Sequence, residues 1–63
     1  MRLFVFSKKE YAGGERTYEM LVKDTNQIVA NMQITFKDPE METGLILGQE
    51  YEIEFKRSKN NGR

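Results

Sequence analysis

The chain has 63 residues, 38% hydrophobic and 32% charged, with ten basic and ten acidic side chains and neither Cys nor His. That length supports one domain near the lower limit for folding without disulfides, metal or oligomerisation, and the balanced charge creates no electrostatic demand for nucleic acid, an anionic membrane or an acidic substrate. Without Cys or His there is no disulfide framework, no thiolate nucleophile, and no Ser-His or Cys-His pair for acyl transfer within one chain.

Met1-Arg2-Leu3-Phe4-Val5-Phe6 is a short apolar run behind one positive charge. Ser7-Lys8-Lys9-Glu10 stops it well before a signal-peptide core or membrane span would be complete, so the expectation is a soluble, cytoplasmic protein with no membrane partner. Within Arg2 to Ser7, Leu3 and Val5 alternate with Phe4 and Phe6. Both faces of this first strand are therefore apolar, as in a central strand or one covered by a partner. Lys8 to Glu15 contains Gly13-Gly14 and turns the chain through a link longer than a tight hairpin needs.

Arg16 to Lys23 alternates again, with Tyr18, Met20 and Val22 inward, Thr17, Glu19 and Lys23 outward, and Leu21 an apolar exception on the outer face. Asp24-Thr25-Asn26 suits a turn. A strand from Gln27 to Phe36 follows, carrying Ile28, Ala30, Met32, Ile34 and Phe36 on one face, so these two segments form an antiparallel hairpin. In Lys37-Asp38-Pro39-Glu40-Met41-Glu42, a capping Asp, a Pro suited to a first helical position and a later Gly44 predict one helical turn near residues 39–43. Leu45-Ile46-Leu47 has the length of a short strand or a core plug. Gly48-Gln49 turns into a last strand, Glu50 to Lys56, with Tyr51, Ile53 and Phe55 opposite Glu50, Glu52 and Glu54. The domain thus occupies residues 1–57, and Ser58 to Arg63, without an apolar residue, forms a flexible basic tail.

The fold class is all-β, either a small antiparallel sheet or a five-stranded barrel with one helical turn. The order strand, long loop, hairpin, helical turn, short strand, strand resembles the small barrels of the SH3-like or oligonucleotide-binding (OB-like) type. That resemblance concerns fold and does not transfer function. In its compact, Cys-free style the chain also resembles small accessory proteins encoded by bacteriophages, which implies an adaptor, inhibitor or ligand-sequestering role.

Three surfaces stand out. Lys8, Lys9, Tyr11, Gly13, Gly14 and Arg16 put cations, an aromatic ring and permissive backbone in one loop, able to seat a phosphate or a base or another small charged ligand. Phe4, Phe6 and Leu21 resist assignment to a single inner face and mark an interface, in the simplest case between copies of the chain. Lys56 and Arg57, followed by Lys59 and Arg63, make a basic end suited to salt-dependent nucleic-acid contacts. Asp38, Glu40 and Glu42 fit helix capping and solvation better than a metal, since the ligand spacing of a calcium loop is missing; no cofactor is expected. The leading expectation is a non-enzymatic β-domain that self-associates and binds a protein partner or a small charged ligand. The alternative is a single-stranded nucleic-acid binder that stacks bases on Tyr11 and uses the basic loop and tail for backbone contacts.

Overall fold

Thr25 and Asn26 both have positive φ, 52° and 67°, and close a two-residue hairpin of the kind whose twist matches the strands it joins. Asn tolerates that conformation, whereas β-branched Thr25 is strained in it. This turn holds the most extensive pairing of the molecule. The structure, a computed structural model, describes residues 1–57; the tail expected over 58–63 lies outside the described residues.

The chain forms β1 (Arg2–Glu10), β2 (Arg16–Asp24), β3 (Gln27–Phe36) and β4 (Glu50–Glu52). All neighbours are antiparallel, in the order β3-β2-β1-β4. β1, β2 and β3 are a simple meander, and β4 returns to the far side of β1. The molecule measures 36 × 35 × 16 Å, the thickness of one sheet and a covering segment. Among the described residues no helix is long and apolar enough to cross a membrane.

Register settles the faces. Leu3 pairs with Val22 and Val5 with Met20 across β1 and β2, Met20 with Met32 and Tyr18 with Ile34 across β2 and β3, and Leu3 with Tyr51 across β1 and β4. These residues share the inner face. Leu3, Val5, Tyr18, Met20 and Val22 are buried there, and Met32, Ile34, Phe36, Leu45, Tyr51 and Ile53 close around them. Tyr18 meets Phe36 edge to face at 5.8 Å between ring centroids, a favoured aromatic geometry.

Residues 37–49 cross the inner face from β3 to β4 and act as its strap. Thr43 Oγ1 donates to Tyr18 Oη (3.2 Å), Leu45 N–H donates to Thr43 Oγ1 (3.2 Å), and Ile46 N–H donates to Tyr51 Oη (2.8 Å). Two core tyrosines therefore bury their rings and use their hydroxyls to satisfy the segment that covers them.

The structure corrects two local expectations, the helical turn and the length of the last strand, and decides between the alternatives for two others. At residues 39–43 there is no helical turn: Met41 N–H bonds Asp38 O (3.2 Å), Asp38 Oδ1 accepts Glu40 N–H (3.0 Å), and the chain then runs on without helix. Arg16 Nη2 donates to the carbonyls of Asp38 (2.9 Å) and Met41 (2.7 Å), taking acceptors that a growing helix would use. Leu45 to Leu47 forms no strand, because residues 48 and 49 already occupy the β1 edge, with Val5 N–H to Gln49 O (3.1 Å) and Gly48 N–H to Val5 O (2.8 Å). Leu45 instead plugs the core, while Ile46 and Leu47 stay exposed. Without a fifth strand to join β3 to β4, the described sheet is open rather than a barrel. The last strand is shorter than expected, since the register Arg2 to Glu52 leaves residues past Ile53 without a partner on β1.

Two bulges complete the fold. One falls between Val5 and Ser7 and leaves Phe6 unpaired. It restores Lys8 to the inner face opposite Tyr18, so β1 continues to Glu10 and the connecting loop shortens. The other falls between the pairs of Val22 and Lys23, where Val29 is the extra residue. It places Ile28 opposite Lys23, off the face of Ala30, Met32 and Ile34.

Candidate functional site

Among the described residues no segment crosses the outer face of the sheet, although Thr17 on it is buried. On it Phe4 pairs with Leu21, Leu21 with Asn31, Glu19 with Gln33, and Thr17 with Thr35. The two threonine hydroxyls bond each other at 2.8 Å. Phe4 and Leu21 are half-buried by their neighbours, and Phe6, freed by its bulge, remains 46% exposed. Phe6 borders a hollow of about 340 Å³ with Glu19, Asn31, Met32 and Gln33. The result is a small apolar centre next to amides and one carboxylate, the composition of a docking surface with a polar rim.

The opposite corner of this face is charged. Lys23 Nζ lies 3.1 Å from Glu50 Oε2 and 5.4 Å from the centre of the Phe4 ring, and Arg2 Nε lies 3.9 Å from Glu50 Oε1. Arg2 Nη2 also donates to Asn26 Oδ1 (3.2 Å), tying the β2–β3 turn to β1. Lys23 thus neutralises the first member of the Glu50, Glu52, Glu54 row and shields one side of Phe4, leaving Phe6 and Leu21 as the accessible apolar ground.

The Lys8 to Arg16 region places its cations apart. Lys8 faces inward, 5.8 Å from the Tyr18 ring centroid and 3.0 Å from Glu10 Oε2. Lys9, opposite Thr17, lies on the other face. Arg16 is committed to the strap carbonyls, and its Nε is buried without a partner among the described residues. The loop proper is short, closed by Tyr11 N–H to Glu15 O (2.9 Å) and Gly14 N–H to Tyr11 O (2.9 Å). Gly14 has φ +92°, and a Cβ there would sit 2.5 Å from the Pro39 Cβ, so this glycine serves packing against the strap. Gly13 has open space around it, and Tyr11 is half exposed at the tip.

Lys56 and Arg57 are exposed, with Lys56 Nζ 4.0 Å from Glu54. They follow β4 past the Arg2 end of β1, whereas Tyr11 to Glu15 follows the Glu10 end. Nine strand residues separate those ends, about 30 Å at roughly 3.3 Å each. Among the described residues no three of His, Cys, Asp or Glu gather as a metal site.

Sequence reasoning placed Glu19 on the outer face but missed that Asn31 and Gln33 join it there to rim the hollow. Their signal is their position in the alternation, beside Leu21 on the same side, once that side is known to be uncovered. No family model, curated protein or solved structure matches the chain.

Proposed function

We propose that this chain is a non-enzymatic binding domain that works in the cytoplasm by stoichiometric occupation, self-associating through Phe4, Phe6 and Leu21. Its role is that of an adaptor, inhibitor or ligand-sequestering accessory protein of the phage type. One observation carries this: an uncovered sheet face holds a packed Phe4–Leu21 pair and a half-exposed Phe6 raised beside them by a bulge. Exposed apolar ground of this kind, rimmed by Glu19, Asn31 and Gln33, favours a protein surface as occupant. A second copy is the simplest one, since a two-fold axis brings one and the same patch together and needs no other partner.

A single-stranded nucleic-acid binder is less well supported. Its cations point to different faces, Arg16 is engaged internally, and the Tyr11 to Glu15 loop and the Lys56-Arg57 pair lie beyond opposite ends of β1.

The test is solution mass by light scattering over a concentration series. Wild type is expected above monomer mass, with Phe6→Lys and Leu21→Lys each lowering it while the far-ultraviolet circular dichroism stays unchanged. Equal masses for wild type and both folded variants would overturn the role of this face. Binding of an oligonucleotide with a steep salt dependence would replace this proposal with the nucleic-acid one.

A further inference from the structure

From Thr25 to Phe36 the chain runs twelve residues without a charge or a proline, and ten of them form β3. No other uncharged stretch of the sequence is as long. Among the described residues β3 is an edge of the sheet, paired only with β2. Edge strands are ordinarily protected by Lys, Pro, shortness, a bulge or a covering segment. β3 has none of the first three. Its bulge at Val29 falls near the turn and leaves Ala30 to Phe36 in regular register, and the strap leaves β3 at Lys37 to cross the inner face. Its bulge region presents Ile28 at 60% and Val29 at 54% exposure.

The phase of the ladder identifies the free backbone groups. Val5 exchanges bonds with residues 48 and 49, so its N–H and C=O point toward β4, and those of its neighbour Phe4 point toward β2. Phe4 and Leu21 therefore form a hydrogen-bonded pair, and alternation turns Met20, Val22 and Tyr18 toward β3. Met32, Ile34 and Ala30 use their groups on β2. Asn31, Gln33 and Thr35 direct theirs away from the sheet.

We infer that this edge is an interaction surface for a second copy of the chain, β3 pairing antiparallel with β3 to make one continuous eight-stranded sheet. The inference rests on the reading that the chain self-associates, and it assigns the backbone edge of β3, which adjoins the Phe6 face at Asn31 and Gln33. A second copy fits because a neutral strand brought against itself meets no like charge. Two registers, with the two-fold axis at Asn31 or at Met32, keep both strands within the uncharged run and keep inner face beside inner face. Either places the two hollows bordered by Phe6, Glu19, Asn31 and Gln33 on the same side of the seam, so that a partner docking on the outer face would meet both.

The experiment measures mass in the Phe6→Lys background, where the outer face is disabled. Phe6→Lys alone is expected to remain a dimer at high concentration. Adding Gln33→Pro should give a monomer with unchanged circular dichroism, because the Gln33 N–H takes no part in the β2 ladder and edge prolines are tolerated there. Asn31→Lys with Gln33→Lys, which leaves the backbone intact and brings four cations to the seam, should do the same. Amide exchange supplies an independent readout: Asn31, Gln33 and Thr35 should be protected in concentrated wild type and exchange freely on dilution. A monomeric Phe6→Lys, or a dimer that survives both edge variants, would overturn the inference while leaving the face proposal standing. A wild type no heavier than Phe6→Lys, still broken by Gln33→Pro, would overturn the face and support the edge.

Discussion

Leu3 and Phe4 are neighbours in β1, Met20 and Leu21 neighbours in β2, and within each pair one residue is sealed in the core while the other looks outward across an open sheet. The two faces begin with similar apolar endowment along β1. They end differently because residues 37–49 cross one of them, held by Tyr18, Tyr51 and Arg16. Alternation divides a strand into two sides with a period of two. Which side becomes the interior is decided by irregular chain elsewhere.

The largest expected separation comes from adjacent positions. Met20→Ala should destabilise by about 2–5 kcal/mol, as for a large side chain removed from a sealed core, whereas Leu21→Ala should cost about 1 kcal/mol for a half-buried one. Urea unfolding of the two variants measures the difference, and equal costs would mean that the outer face is covered as well. Next in size, Gly14→Ala combines a positive φ with a collision against Pro39 and should cost about 1–3 kcal/mol. Accompanying loss of exchange protection at Leu45 and Ile46 would tie the loop to the strap. Smallest, Tyr18→Phe keeps the ring and removes the acceptor for Thr43, with an expected loss of about 0.5–1.5 kcal/mol. A loss of several kcal/mol would show that the strap depends on that hydroxyl more than on Leu45.

Much of this was legible in the sequence. The β2–β3 hairpin, its turn residues, the inward set Tyr18, Met20 and Val22 and the outward Leu21 all follow from period-two alternation and turn chemistry. The same logic separated Leu3 and Val5 from Phe4 and Phe6. What escaped were events that period-two counting cannot register. A bulge at Phe6 carries β1 to Glu10 and turns Lys8 inward, and a bulge at Val29 moves Ile28 off the face to which alternation assigns it. Asp38-Pro39 carries the local signals of a helix start, but two carbonyl bonds from Arg16, 22 and 25 residues away, hold it as a turn. The outer-face set was half legible, since Phe4, Phe6 and Leu21 announced themselves as misplaced apolar residues while Glu19, Asn31 and Gln33 looked like ordinary solvated positions.

The strap also sets an order of opening. β1, β2 and β3 are linked by short connections and long ladders, whereas β4 adds three residues and is reached only after the strap has crossed the sheet. Contacts local in sequence form early, and the least extensively bonded segment detaches first. A partial excursion that lifts residues 37–52 would leave the meander intact and lay bare Leu3, Val5 and Met20 opposite Phe4 and Leu21. For that moment the molecule would be a three-stranded ribbon, greasy on both sides. The tyrosine clasps that define an interior in the folded chain are also its safeguard against aggregation.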